Sequence, residues 1–392
     1  MKSSLTLISL IILYIIFIQF NSINLAVCKE NKIEYLSNLG KDKPIKIGVV
    51  WSFELEKKSN YFKDGILLAV KELNSNKFLD RKIEVIFRDD KNDIDEAQKI
   101  ANEFVQDRSV VAVIAHNNID LAMQTSITYE YGGTIMLSPA ISYIKFTSIN
   151  FDYIFRNIPT DMTITQELAS FANFMNFKKI VVLSSNSLNS DSLTNIFIEN
   201  AVNNNLEIIY DYKFKNNQKD FIKILTNISP KINHEMDYDA IFIMDNEENI
   251  INLIKNARKY GIYAPFITAT ILNHNRLLEE GEELDGTIIT SVYNPFILNQ
   301  KMQLFIENFQ KEYNLSPNSW SAQGYDAIML LAKSIKTSDT LDPSMIIQQL
   351  KYMRNFNSIF GKYSLNSKGD VIDRKIFFKI IKNKKFKYFN FN

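Results

Sequence analysis

The sequence predicts an α/β fold built on mostly parallel sheets, and three observations carry that reading. Short apolar, β-branched runs such as Val110 to Ala115 recur along the chain, each followed by apolar residues at helical spacing. Strand and helix alternate rather than cluster, which argues for a doubly wound parallel sheet. The pattern closes at Ile158-Pro159-Thr160 and then restarts, so a second sheet follows the first.

The first strand is Lys43 to Trp51, with Pro44 at its entry. A loop through Ser52–Ser59 leads to a helix whose Phe62, Ile66, Ala69, Val70 and Leu73 share one face. Arg81 to Phe87 alternates Ile83, Val85 and Phe87 as a second strand, which ends at Asp89-Asp90. Asp93 is placed to cap a helix with Ile94, Ala97, Ala101, Phe104 and Val105 inward. Val110 to Ala115 is the third strand and ends in the polar turn His116-Asn117-Asn118. The helix after it stops at Gly132-Gly133, and Thr134 to Leu137 breaks at Ser138-Pro139-Ala140. Phe151 to Asn157 completes the first sheet. Loops at the carboxyl ends of neighbouring parallel strands are where small ligands bind in such sheets.

In the second half, Thr163 with Gln166 reads as a capping box before a helix ending near Phe174. Strands are expected over 179–183, 206–214, 240–244, 265–269 and 287–292, with helices over 191–204, 219–228 and 247–260 between them. Three helices follow at 300–313, 319–336 and 343–354. A strand near Gly361, a turn at Gly369-Asp370 and a strand over 375–381 finish the chain. These last strands return to an earlier sheet, because an isolated hairpin is marginal.

Composition excludes several classes. The 392 residues hold 45 Lys+Arg against 44 Asp+Glu, a net charge of +1, so no basic stripe points to nucleic acid. The C-terminal KIIKNKKFK reads as a solvated strand edge. Lys2 precedes an apolar run from Leu5 to Phe20 and a polar exit, the order of a signal peptide over residues 1–27. An uncleaved anchor is the alternative, though the run is shorter than the roughly 20 residues a spanning helix needs. Cys28 is the single cysteine, so no internal disulfide can form.

Five stretches, taken in this order, resemble the type I periplasmic solute-binding proteins, specifically the branched-chain amino-acid-binding family of ABC transporters. They are KIGVVWSF, Asp90 with DIDEAQKIANEFVQDRSVVAVIAH, YGGTIMLSPAIS, SAQGYDAIMLLAKSI and FGKYSLNSKGD. The resemblance spans about residues 44–385 and implies a two-lobed periplasmic-binding-protein-like type I fold, each lobe a mostly parallel sheet flanked by helices, with three hinge crossovers. The crossovers are expected near Pro159-Thr160, Val292–Asn294 and Asn355–Gly361. That makes 44–159 plus 293–355 lobe 1, and 160–292 plus 356–392 lobe 2. The implied function is the extracytoplasmic solute-binding component of an ABC importer, which captures its solute in the inter-lobe cleft by hinge closure. The implied partners are a small-molecule ligand, a permease and ATPase subunits, and a monomer is expected. Leu25-Ala26-Val27-Cys28 also resembles a lipobox, with Val27 a departure. Cys28 is therefore a possible lipidation site, and the protein is periplasmic or a membrane-anchored lipoprotein.

Carried onto this chain, the family's ligand loops fall on Ile119, with Asp120 beside it, and on Ala140 and Ser142. Trp51 and Ser52 offer a stacking face and a hydroxyl, although Trp51 could equally pack beneath the loop, and Asp120 could equally cap a helix. In lobe 2 the family's two ligand-facing aromatics fall on Asn189 and Asn246, and its acidic anchor on Thr270. Asp245 adjoins Asn246 and is a substitute acid. Exchanging aromatic walls for amides favours a polar solute, an amino acid or amide-like molecule, over a branched-chain side chain.

Nothing in the sequence makes an enzyme. His116, His234 and His274 have no metal-ligand spacing, and no GxSxG elbow, P-loop or GxGxxG occurs. Ser142-Tyr143-Ile144-Lys145 matches S-x-x-K by chance, since its partner motifs are missing. No cofactor is implied. The alternative reading is a ligand-sensing receptor ectodomain that works through a partner.

Overall fold

Short runs of Val and Ile form the strands of two separate sheets, because residues buried on both faces of a parallel sheet need no polar side. The computed structural model describes residues 25–53, 61–216, 218–230, 232, 236–269 and 274–389. The chain divides into two compact units: residues up to Ile158 with Asn299–Arg374, and Pro159–Leu298 with the residues from Lys375.

Unit 1 begins with a helix over 25–37, α1, that the sequence reading did not anticipate. Its elements then alternate: β1 (Ile45–Trp51), α2 (Tyr61–Ser75), β2 (Ile83–Asp89), α3 (Ile94–Gln106), β3 (Val110–Ile114), α4 (Ile119–Tyr131), β4 (Ile135–Ser138) and β5 (Ile154–Arg156). The sheet order is β2-β1-β3-β4-β5, parallel throughout. Every residue of β3 is buried. Asp93 caps α3 as expected, accepting from the Glu96 amide.

Unit 2 repeats the scheme with α5 (Asp161–Phe174), β6 (Lys179–Ser185), α6 (Leu188–Asn203), β7 (Glu207–Phe214), α7 (Ile222–Ile228), β8 (Ala240–Met244), α8 (Glu247–Lys259), β9 (Phe266–Thr268), α9 (His274–Glu279) and β10 (Ile288–Ser291). The cap of α5 is Thr160, which accepts from the Thr163 amide, so that helix starts one turn before the expected capping box.

The chain returns to unit 1 with α10 (Gln300–Tyr313), α11 (Ser319–Ser338), α12 (Pro343–Lys351) and a small sheet of β11 (Phe356–Ser358), β12 (Gly361–Leu365) and β13 (Val371–Ile372). It ends in unit 2 with β14 (Phe377–Lys382) and β15 (Lys385–Tyr388). The unit 2 sheet runs β7-β6-β8-β9-β10-β14-β15, antiparallel only at its last two pairings. The C-terminal basic run therefore forms a hairpin.

The division differs from the expected lobes. Residues 293–298 lie with unit 2, and 356–374 lie with unit 1. The physical reason for the second difference is a buried polar cluster on α11. Asp326 accepts from Tyr363 Oη at 2.6 Å, from Asn157 Nδ2 at 3.3 Å and from the Ser358 hydroxyl. Arg374 donates to Gln323 Oε1 at 2.6 Å and lies 3.6 Å over the Phe360 ring. Burial pushes the Asp326 carboxyl up, against the opposing pull of Arg374 and its hydrogen bonds.

Helices α2 and α11 make the closest approach in unit 1. A Cβ on Gly65 would stand 2.0 Å from the Ser321 carbonyl, and one on Gly324 would stand 2.6 Å from the Phe62 carbonyl. Glycine at both positions lets the two backbones touch. The α1 helix is held on the amino edge of the sheet. Lys32 is fully buried and donates to the Phe104 carbonyl at 2.8 Å, the Val110 carbonyl at 3.3 Å and Thr134 Oγ1 at 2.7 Å. Leu25 and Cys28 pack against the apolar cluster of α3, α4 and β3.

Candidate solute-binding edges

A parallel sheet presents a ligand crevice where successive strands leave in opposite directions from the same neighbour. In unit 1 that point lies between β1 and β3, and in unit 2 between β6 and β8. The strand ends there carry seven of the ten residues selected from the sequence, and Ala140 and Ser142 follow the neighbouring β4.

In unit 1 the edge rests on one buried carboxylate. Asp90 has no exposure, accepts from Ser52 Oγ at 2.5 Å and from the Asn92 amide at 3.0 Å, and meets His116 Nδ1 at 2.7 Å. Burial pushes this carboxyl up, but the hydrogen bonds from His116, Ser52 and Asn92 outweigh it, so it sits below the ordinary aspartate value. Ser52 also reaches Asn117 Oδ1 at 3.1 Å, which joins the ends of β1 and β3. His116 Nε2 is buried and has no hydrogen-bond partner among the described residues.

The second loop of this edge follows β4. Ala140 and Ser142 are both partly exposed there. Arg156, wholly buried on β5, donates to the carbonyls of Ile141 at 2.9 Å and Tyr143 at 3.0 Å, the two residues that flank Ser142. Its Nε stands 3.0 Å from Asp370 Oδ1, so the charge that holds this loop is itself paired. Gln323 Nε2 adds a 2.7 Å bond to the Pro139 carbonyl.

The selected residues fare differently. Trp51 has no exposure, stacks on Phe62 with ring centroids 3.8 Å apart and meets Trp320 edge-on at 5.4 Å. It is buried between Phe62 and Trp320. Ser52 is equally buried, with its hydroxyl directed at Asp90. Ile119 opens α4 and is partly exposed, and Asp120 beside it is exposed. The cap is Asn118, whose Oδ1 accepts from the Asp120 and Leu121 amides, so Asp120 is not the capping residue.

In unit 2, Asn189 is partly exposed in the first turn of α6, which Ser187 caps. Asp245 is buried, and both of its oxygens are engaged. Oδ1 accepts from the Asn246 amide at 2.7 Å, and Oδ2 accepts from Asn249 Nδ2 at 2.7 Å. Asn246 is exposed and caps α8 through the Asn249 amide. Those bonds tie the Asp245 carboxylate to the first turn of α8. Thr270 lies outside the described residues, as do residues 1–24 of the expected signal peptide. Cys28 is partly exposed on α1.

A profile for the family described as periplasmic binding protein matches residues 44–385. The chain belongs to the periplasmic binding protein family. That is a family of solute-binding proteins, not of enzymes. A leucine-, isoleucine-, valine-, threonine- and alanine-binding protein of Pseudomonas aeruginosa is 19% identical over 309 residues, 78% of this chain and 81% of its own. An ABC transporter substrate-binding protein of Desulfitobacterium hafniense, solved in complex with Leu, superposes with a TM-score of 0.80 at 27% identity, covering 88% of this chain and 100% of that one. A branched-chain amino acid transporter substrate-binding protein of Streptococcus pneumoniae, solved with isoleucine, gives a TM-score of 0.77 at 22% identity over 88% of this chain and 98% of its own, which speaks for the fold alone. The periplasmic binding protein match begins at residue 44, so α1 precedes the shared fold.

Reasoning from sequence missed Arg156 and the importance of Asn117 and Asn118. A lone arginine in the short apolar strand FDYIFRN was the available signal, since a buried charge needs fixed partners.

Proposed function

We propose that the protein is the extracytoplasmic solute-binding component of an ABC importer and captures a small polar solute, an amino acid or amide-like molecule. The observation that carries this reading is the loop after β4: Ala140 and Ser142 are accessible, and buried Arg156 fixes the carbonyls on either side of Ser142. A rigid loop with a free hydroxyl and backbone groups suits the carboxylate and ammonium of an amino acid. Ile119 and Asp120 on α4 border the same edge.

Unit 2 would contribute Asn189, Asn246 and Thr270. The amide of Asn189 gives donors and acceptors in place of an apolar wall, which favours a polar ligand. Contacts from both units to one solute would stabilise the closed state, and a permease would read that state. Export precedes this role, with residues 1–27 as the leader or anchor and Cys28 as a candidate for lipid attachment.

The test is a thermal-shift screen of the purified protein against leucine, serine, glutamine, asparagine, simple amides and polyols. A ligand that binds only the folded state raises the melting temperature by mass action. A shift with glutamine, asparagine or serine exceeding that with leucine is expected. A shift with leucine alone overturns the polar-ligand reading.

A further inference from the structure

Unit 1 has two adjoining cavities that the solute edge does not use. One, of about 510 Å³, lies between α10, α11 and β11, and its wall is mostly apolar, with Leu304, Phe305, Met329, Phe356 and Ile359, while Asp326 and Ser358, bonded to each other, line its inner end. Lys301, Lys333 and Lys336 also line it. The other, of about 760 Å³, lies where β1 and β2 begin and is lined by Lys41, Lys77, Arg81, Lys82 and Lys336 against Asp80 and Asp339. Phe78 and Lys336 belong to both. Lys336 Nζ donates to the Phe78 carbonyl at 2.8 Å and lies 4.2 Å over the Phe78 ring, so this pair forms the wall the cavities share.

An apolar pocket bordered by lysines, with a cationic groove on the other side of Lys336, matches a ligand that is apolar along its length and anionic at its head. A neutral polar solute would leave the apolar wall without a partner, and a bare anion would leave the pocket empty. Two details sharpen the match. Arg81 Nη1 is buried at the groove with no hydrogen-bond partner among the described residues. Lys41 is paired with Asp80 at 3.1 Å, whereas Lys77, Lys82 and Lys333 have no ion-pair partner among the described residues. We propose that unit 1 carries a second binding site for a single-chain anionic amphiphile, its chain in the pocket between α10, α11 and β11 and its acidic head on Lys333, Lys336 and the groove beyond.

The pocket runs along α11 from Tyr325 to Lys336, and the groove lies at the end of that helix far from the solute edge. Trp320, in the first turn of that helix, touches Trp51 at the carboxyl end of β1, while Lys336, in the last turn, touches Phe78 before β2 begins.

The experiment is displacement of a fluorescent dansyl-undecanoate probe from the purified protein by laurate, with 1-dodecanol, dodecylamine and phosphatidylglycerol vesicles as the other arms. Laurate is expected to displace the probe from one site per chain, and the alcohol and the amine to do so at least about tenfold more weakly. Met329→Trp fills the pocket and should abolish probe binding. Lys333→Ala with Lys336→Ala, two exposed positions, should weaken laurate about tenfold and leave the alcohol unchanged. Melting temperatures without probe report whether each variant folds. Failure of laurate to compete, equal competition by dodecylamine, or wild-type binding in a folded Met329→Trp variant overturns the proposal. Vesicles that bind where laurate does not would replace it with a membrane-surface contact. The solute screen is unaffected by any of these results, so the two readings fail separately.

Discussion

A carboxylate without exposure stays charged only where donors surround it, and Asp90 has them in Ser52, His116 and the Asn92 amide. The outcome is a fixed junction between the ends of β1 and β3, against which the exposed groups of the edge are presented. Ser142 is presented in the same way by Arg156. Its hydroxyl has no structural duty among the described residues, so Ser142→Ala is expected to lower solute affinity by roughly 1–3 kcal/mol with the melting temperature unchanged. Calorimetric titration with the solute found in the screen measures the first, and a thermal melt the second. The types of these residues were legible in the sequence, but their directions were not. Asp120 and Asn118 are two positions apart, and only the helix geometry decides that Asn118 caps α4. The sequence allows Trp51 either to stack on a ligand or to pack, and the structure buries it against Phe62 and Trp320.

Among the elements, α1 carries the clearest pH dependence. Burial lowers the Lys32 pKa from 10.5 to about 7, with the charge of Asp107 opposing. In the unfolded chain this amine stays protonated to a higher pH, so above about pH 7 the unfolded state binds the extra proton. Stability from this site is therefore lowest below pH 7 and rises toward 10.5. Between pH 7 and 9 the gain is on the order of 2 kcal/mol, and Lys32→Met should remove it. Denaturant titrations of both proteins at the two pH values test this, and parallel curves would exclude the assignment. The α2–α11 contact makes a second prediction. Gly324→Ala forces a methyl group against the Phe62 carbonyl and should cost about 1–3 kcal/mol or more, read as a lower urea midpoint. The strands could be placed from the sequence because they are continuous apolar runs, and the long helices because their burial is periodic. Helix α1 was missed because its first residues fall within the stretch 1–27 that reads as a leader.

At the scale of the whole molecule, the family and the alternation of elements were legible, and the unit to which residues 356–374 belong was not. Residues 356–374 form short strands with little periodicity, and their place in unit 1 depends on Asp326 meeting Tyr363 and Ser358 across more than thirty positions. No local pattern encodes such a contact. The carboxyl edges of both sheets serve one proposed task, while the amino end of unit 1 bears α1 and the cationic groove.

The interleaving of the two units has a consequence for how the chain is made. The buried face of α2 and the strands it covers wait for α11, and β10 waits for β14, so neither core closes until residues far along the chain have emerged. Contacts this distant slow folding. A nascent chain therefore completes neither half until its last segments emerge. A chain ended at residue 374 should leave the β10 edge open and unit 2 sensitive to protease, with protection returning once β14 and β15 are restored.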